Sequence, residues 1–497
     1  MRICFCSSAN SGHIFPYLNF VSLVVKKGHT VDWYGVEDKS RNDLSSRIKA
    51  TGASYTELPE SMPEDLLLFF KYFKNQFGFL QAIRIMYLLL TDKPKFDMFA
   101  KSNGQWALNK FFMLGLFVTA ANRALQMKKI QEQKNYDILL CDPISIPIIM
   151  SLAMDIPLII MSPMIVDMDS SPVYDEMRAP ALQDEYVCYL LEQKVKIAHP
   201  GWTYAKSLQH FQTSLDSRII LSSEDLFTAS GKYPTHSDPK RTWYISNREF
   251  DIPFDQSRLR TIKEVQANPR IYVSFGTEMC NNYPLIDAFF EYFGNNDMDV
   301  LFTFGGNNVS YEMYKTRAWK NKNFKIEVMV NQREILASGK DIYFNHCGAG
   351  SIYEAIYYGV PMVCIPQEWD QPLNAATVAE LGCGVIFPET HARGFVGKIQ
   401  QSVETVLRDF DKIRQAALKQ REKFMSGETT DSVIEQAFAS FEKNPTSYKT
   451  NWEKFACGGP DPSLGYTSRM GLIGNYDVCL WFMLIMSVII YVFSYVK

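Results

Sequence analysis

No two of the ten cysteines in this chain are spaced C-x-x-C, so the pattern supplies neither a structural zinc site nor a thioredoxin-like redox pair. The cysteines are scattered, and those inside apolar runs, such as Cys4, Cys6, Cys141 and Cys364, read as small buried hydrophobes. A basic stripe is also absent. The formal net charge is -3, which argues against nucleic acid as the main partner. The first residues do not read as a secretory signal: Met1-Arg2 leads into ICFC and then polar SANSG, too short an apolar stretch for a signal core. After that first strand SSANSGH stands where a dinucleotide fold requires G-x-G-x-x-G, so a nicotinamide-dependent oxidoreductase ranks lowest among the candidate functions. No Asp-x-Asp metal motif sits at a suitable strand end. Asp167-Met168-Asp169 has that spacing but falls in a loop, and no metal is expected. No internal repeat is visible.

What is present is a large apolar inventory. Of 497 residues, 47% are hydrophobic and 14% aromatic, enough to core two or three domains and too much for disorder. Apolar runs alternate with helical patterns, which implies parallel sheets with helices on both faces. In the first half the expected strands are Ile3–Cys6, Val31–Tyr34, Tyr55–Leu58, Tyr136–Leu140, Leu158–Met161, Ile219–Leu221 and Thr242–Ile245. Helices are expected at Tyr17–Lys27, stopped by Gly28, and at Ile144–Ala153. The polar segment Ser246–Asp255 reads as a linker. A second set follows: strands Ile271–Phe275, Val300–Phe304, Lys325–Val328 and Ile342–Phe344, with helices Pro284–Phe293, Arg333–Ala337, Gly397–Arg408 and Thr430–Lys443. The expected fold class is α/β, with two doubly wound Rossmann-like domains at 1–250 and 251–445, a linker at 446–474 and a C-terminal transmembrane helix within 475–497. Leu66–Leu90 is rich in Leu, Phe and Tyr but holds Lys71, Lys74 and Arg84, so it reads as amphipathic core helices, part of which lines an apolar pocket in the sharper reading.

The most informative stretch is His346–Asn374, HCGAGSIYEAIYYGVPMVCIPQEWDQPLN. It reads as a small-residue turn, a helix Ile352–Tyr358 starting at Ser351, a stop at Gly359-Val360-Pro361, a buried strand Met362–Ile365 and a polar loop carrying Asp370, Gln371 and Asn374. A helix N-terminus has unpaired N–H groups and the positive end of a dipole, so it can hold a diphosphate. A carboxylate and two amides on the next loop suit a polyhydroxyl ligand. Ser351 and Glu354 are ambiguous, because S-x-x-E is also a capping box.

This segment resembles the donor-binding signature of the UDP-dependent glycosyltransferases (family 1, the UDP-glucuronosyl and UDP-glucosyl transferases). The resemblance extends to GHIFP at Gly12–Pro16, YDILLCD at Tyr136–Asp142, YVSFGT at Tyr272–Thr277 and Gln332, in matching order. It implies the two-domain glycosyltransferase B architecture with a UDP-sugar as donor. It assigns Gly276, Thr277, His346, Gly348 and Ser351 to the diphosphate, Glu354 to the ribose, Gln332 to the uracil, and Asp370, Gln371 and Asn374 to the sugar. The family often has Trp-x-Pro-Gln where this chain has Met329-Val330-Asn331-Gln332, so the base-stacking Trp is missing. The acceptor pocket falls in the N-terminal half and suits a small lipophilic compound or a lipid.

Inverting transfer needs a base to take the acceptor's proton, and histidine titrates near neutrality. An isolated His13 would read as structural, but in the GHIFP context the resemblance makes it the base, on the loop after the first strand. Asp142 would orient the imidazole and stabilise its charged form; alone it reads as a turn aspartate before Pro143. The competing expectation is a catalytically inactive nucleotide-sugar or lipid binder on the same fold, marked by loss of that base. Finally, the uncharged run Val478–Val496 would span roughly 28 Å as a helix, close to a bilayer's hydrocarbon core. It reads as a single-pass anchor in the endoplasmic reticulum or another endomembrane, with the face left open.

Overall fold

The structure is a computed structural model that describes residues 1–7, 11–35, 44–58, 69–74, 78–91, 119, 122–143, 147–163, 217–228, 241–248, 250–276, 282–317, 319–367, 370–388 and 394–449. Its strands form two all-parallel sheets. The first holds β1 (Arg2–Cys6), β2 (Thr30–Gly35), β3 (Ser54–Glu57), β4 (Ile138–Cys141), β5 (Leu158–Ser162), β6 (Arg218–Ile220) and β7 (Thr242–Tyr244), in the order β3-β2-β1-β4-β5-β6-β7. The second holds β8 (Arg270–Ser274), β9 (Asp299–Thr303), β10 (Phe324–Glu327), β11 (Ile342–Asn345), β12 (Met362–Cys364) and β13 (Gly384–Ile386), in the order β10-β9-β8-β11-β12-β13. The central strands β1, β4, β8 and β11 are buried along nearly their whole length, as strands covered on both faces must be. In each sheet the order reverses direction once, between β1 and β4 and between β8 and β11. Ligands of such sheets collect at the carboxyl ends of the strands beside that switch point.

Seven helices matter to the site and its support: α1 (Ser11–Lys26), α2 (Tyr283–Asn295), α3 (Gln332–Ala337), α4 (Ala349–Tyr357), α5 (Gln371–Glu380), α6 (Phe395–Arg408) and α7 (Phe410–Ser426). An eighth, α8 (Thr430–Lys443), ends where the sequence places it but packs on the first sheet. Its Val433, Ile434, Ala437, Phe438 and Phe441 share a core with Ile3, Phe5, Phe20 and Trp33. Lys27 at the end of α1 pairs with Asp431 and Glu435 of α8 at 2.9 and 2.7 Å.

Two stretches of chain therefore run between the sheets, and they touch. Asn247 bridges to Thr429, its N–H donating to the Glu428 carbonyl at 3.0 Å. A Cβ on Gly427 would lie 2.5 Å from that of Ser246. The expected linker is not a loose polar strap. Phe250 stacks on Tyr357 with centroids 3.9 Å apart, Arg248 lies over the Tyr353 ring at 4.2 Å, and Tyr358 Oη donates to the Ile252 carbonyl at 2.8 Å.

Four sequence expectations need correction. The membrane helix and the endomembrane localisation drawn from it find no support among the described residues, where no helix is long and apolar enough to cross a membrane. The longest, α7, has 17 residues and is studded with charge; the run 478–496 itself lies outside the described residues. Helix α4 begins at Ala349 rather than beside Ser351. Gly12 and His13 belong to the first turn of α1 and not to a loop. Gln371 and Asn374 lie on α5, with Asp370 at its N-cap, and not on a loop. Of Leu66–Leu90, the helix Phe79–Thr91 is in place, but it exposes Leu80, Ile83 and Tyr87 as well as burying Ala82 and Ile85.

Candidate active site

At the end of β8 the chain turns at Gly276, which has φ +69. Side chains avoid that region, and here space forbids one as well. A Cβ on Gly276 would lie 2.5 Å from His346 Cε1, and one on Gly348 would lie 2.6 Å from His346 Nε2. The two glycines thus make a slot for the imidazole. Its Nδ1 is enclosed without a hydrogen-bond partner among the described residues. Burial pushes the His346 pKa down to about 4, against a smaller opposing effect of the Ser274 backbone, so the ring is neutral at pH 7. Thr277 lies outside the described residues.

Because the folded-state pKa is depressed below the ordinary value of 6.5, the unfolded chain binds more protons between those two pH values. His346 therefore contributes stability above about pH 6.5 that is lost as pH falls toward 4. Urea midpoints across this range should show a shallower pH slope in His346→Gln than in the parent.

Between His346 and Gly348 the backbone passes through Cys347 at φ +66, a conformation that a non-glycine residue keeps only under constraint. Three hydrogen bonds supply the constraint. Cys347 N–H donates to Asn345 Oδ1 at 2.8 Å, and Asn374 Nδ2 donates to the Cys347 carbonyl at 2.9 Å and to Asp370 Oδ2 at 2.7 Å. Asn374 is fully buried and spends both amide hydrogens on this brace. Gln371 is also mostly buried, its Oε1 accepting from the Gln367 N–H at 2.8 Å. Asp370 is the most exposed of the three residues expected at the sugar.

The turn delivers Gly348 as the N-cap of α4, which has no side-chain cap. The first intrahelical bond runs from Ile352 N–H to the Gly348 carbonyl, so the N–H groups of Ala349, Gly350 and Ser351 are the open end of the helix. This decides the ambiguity at Ser351 and Glu354. Ser351 is the third helical residue, and no capping box forms. Glu354 accepts from Gln332 Nε2 at 2.7 Å and from Arg333 Nε at 2.9 Å. Arg333 also pairs with Asp251 of the linker at 2.9 Å.

Gln332 itself is fully engaged. Its Oε1 accepts from Tyr343 Oη at 2.7 Å and Tyr272 Oη at 3.5 Å, and its Nε2 also donates to Ser351 Oγ at 3.3 Å. An amide has two hydrogens and two acceptor sites, and all four are occupied. The Gln332 side chain is a tie between β8, β11 and α4. Met329, where the resemblance puts Trp, is 59% exposed.

The second cluster lies at the end of β4. Asp142 is completely buried, and its N–H donates to the Cys6 carbonyl at 2.9 Å. Its Oδ2 accepts from Tyr17 Oη at 2.7 Å. Arg123, also buried, donates to the Ser7 carbonyl at 3.3 Å. The backbone of His13 stands one helical turn before Tyr17 on α1; its side chain lies outside the described atoms. Tyr17, Arg123, Tyr343 and Arg333 were not legible as site residues, although Tyr17 falls four positions after His13, where two residues share a helix face.

Both clusters sit at the carboxyl ends of parallel strands next to a switch point, which defines a doubly wound nucleotide-binding fold. The domain described as "Erythromycin biosynthesis protein CIII-like, C-terminal domain" matches residues 323–439. Over 249 residues the chain is 27% identical to the "Uncharacterized UDP-glucosyltransferase YdhE" of Bacillus subtilis (strain 168), covering 48% of this chain and 56% of that one. It is 39% identical over 87 residues to the human "UDP-glucuronosyltransferase 2B28", covering 17% and 15%. The chain thus spans about half the length of the first of these relatives and less of the other. The glycotransferase of kitacinnamycin has the same fold, with a TM-score of 0.62 at 19% identity over 89% of this chain and 99% of that one. The calicheamicin glycosyltransferase CalG4 follows at 0.59 and 14%, over 89% and 97%. These matches support a resemblance to the UDP-glycosyltransferases (family 1 glycosyltransferases) in sequence over part of the chain and in fold over most of it.

Proposed function

We propose that this protein is a glycosyltransferase that moves a hexose, with inversion, from a UDP-sugar to a hydroxyl of a small lipophilic or lipid acceptor. The observation that carries the reading is the open N-terminus of α4 beside a neutral His346, with the Glu354 carboxylate one turn further on. Three N–H groups and the helix dipole suit the diphosphate, and the charge that develops on departing UDP is met by the same groups. The neutral imidazole has one N–H to donate. Gly276 and Gly348 leave room for the His346 imidazole beside the phosphates. Glu354, aimed by Gln332 and Arg333, accepts from the ribose hydroxyls. Asp370 is the residue best placed for the sugar hydroxyls, with Gln371 and Asn374 holding the turn behind it. His13 takes the acceptor's proton as its oxygen attacks the anomeric carbon, and Asp142 keeps the imidazole oriented. No metal has a role in this reading.

The test is UDP release by the purified protein, offered UDP-glucose and UDP-glucuronate separately with a panel of phenols and sterols. Acceptor-dependent release with one donor names the sugar. Binding of UDP without turnover on any acceptor would favour the inactive binder.

Removing the Glu354 carboxylate leaves Arg333 Nε and Gln332 Nε2 without their acceptor. Hydrogen bonds to charged groups contribute about 1.5–3 kcal/mol, so Glu354→Ala is expected to raise the donor KM by about 10- to 100-fold. A kcat that stays within a few-fold of the parent would place the loss in donor binding, and an unchanged donor KM would remove Glu354 from the ribose.

A further inference from the structure

We propose that Tyr17 is a positioning residue for the reaction: its buried hydroxyl fixes the Asp142 carboxylate that orients His13. The inference rests on the reading of His13 and Asp142 as base and partner. Tyr17 and Asp142 are both completely buried. A single hydroxyl meets two acceptors at 2.7 Å, Asp142 Oδ2 and the Met161 carbonyl. A phenol has one hydrogen, so that hydrogen is shared between a carboxylate and a backbone carbonyl of β5. Asp142 is thereby tied to both neighbours of its own strand. Its N–H holds the Cys6 carbonyl at the end of β1, and Tyr17 holds it to β5.

The ring alone does not need this hydroxyl. Tyr17 packs edge-on to Phe5 with centroids 5.2 Å apart, a contact that phenylalanine would keep. What the hydroxyl adds is polar and points at one side chain of the proposed machinery. Burial, and then the charge of Asp142, hold the phenol well above its ordinary pKa, so it remains a donor across the working range. Among the described residues, the charge of Asp142 also reaches Cys141 on β4, which in turn feels Cys6 on β1 and Arg123 from the helical run 122–134. The Cys141 thiol is pushed up by burial and stays neutral. His13 and Tyr17, one turn apart on α1, put the base and the anchor of its partner on one rigid element.

The experiment compares kcat against pH for the parent, Tyr17→Phe, Asp142→Asn and the double variant, with His13→Ala as reference. Loss of the hydroxyl leaves the carboxylate's charge less dispersed, so the imidazolium it faces is held more firmly and the acidic limb moves to higher pH. Expected for Tyr17→Phe is a kcat lower by about 10- to 100-fold, the range of a lost hydrogen bond to a charged group, with donor KM and UDP affinity within twofold. The double variant should lose no more than Asp142→Asn alone, because Tyr17 acts through Asp142. A merely structural tyrosine would instead give losses that multiply, with an unmoved pH midpoint and a lower melting temperature; that result, or an unchanged kcat in Tyr17→Phe, overturns the proposal. If Tyr17→Phe does not fold well enough to assay, the same cycle is run with Tyr17→His, which retains an aromatic N–H donor: a rate near the parent's supports the proposal, and losses that multiply with Asp142→Asn overturn it. His13→Ala at parental rate would overturn the base itself and is read separately.

Discussion

His13→Ala is expected to lower the acceptor-dependent rate by about 10²- to 10⁴-fold while leaving UDP affinity within a few-fold, the signature of a lost general base. The physical reason is that a hydroxyl at neutral pH is a poor nucleophile until its proton has somewhere to go. Histidine is the side chain whose ordinary pKa lets it accept that proton and release it again near pH 7. The residues proposed for the donor lie with the second sheet and its helices, and His13 stands at the start of α1 beside the first. Deleting its imidazole therefore leaves the diphosphate corner intact. Steady-state rates at saturating donor, alongside calorimetric titration with UDP, separate the two effects. Equal release of UDP from the parent and the alanine variant would remove His13 from the chemistry. A parent that binds UDP and turns over no acceptor would return the chain to the class of inactive binders.

Gly348→Ala and Gly276→Ala should each weaken UDP binding by about 10- to 100-fold, corresponding to roughly 1–3 kcal/mol of misplacement. The added methyl would sit 2.6 Å from His346 Nε2 in the first case and 2.5 Å from Cε1 in the second, closer than any real Cβ contact. One of the two groups must move. At Gly276 the positive φ adds backbone strain to the collision. At Gly348 the backbone has φ -65 and ψ 141, which any residue adopts, so the effect there is steric alone. That difference supplies an internal control. In a Gly348→Ala, His346→Ala double variant the collision is gone, and UDP affinity should be no worse than in His346→Ala. If the double variant is tenfold weaker than His346→Ala, Gly348 faces the ligand directly and the slot explanation fails.

The central strands were legible because they are buried on both faces, and such strands are written as apolar runs; the short β13, Gly384–Ile386, was not anticipated. RICFC, ILLC and IYFN leave little else to read. Helix α8 was legible to the residue because Thr429 caps it and the apolar positions recur at helical spacing. Helix α7 was missed for the opposite reason. Its sequence FDKIRQAALKQREKFMS buries only Phe410, Ile413, Ala417, Gln420 and Phe424, so charge dominates the reading.

At the site, the residue types were legible and their partners were not. Ser351 and Glu354 have capping-box spacing, but the box never forms because the helix starts two residues earlier, at a glycine cap. Gln332 was expected beside a base, and its side-chain oxygen accepts from two tyrosines of β8 and β11, which are 71 residues apart in sequence. No local pattern announces such a tie. Asn374 was expected at a sugar because it has the right spacing, yet a buried amide bracing a left-handed Cys347 has the same spacing.

The return of α8 to the first sheet sets a rule for building hybrids. Exchange of donor specificity between relatives is naturally attempted by joining the first half of one chain to the second half of another at the linker. Here such a graft would import a foreign α8 against Phe5, Phe20 and Trp33, and would pair a foreign surface with Lys27. The working module is discontinuous: residues 1–245 travel with α8 and the turn after it through Tyr448, and the stretch between them is the part to be traded.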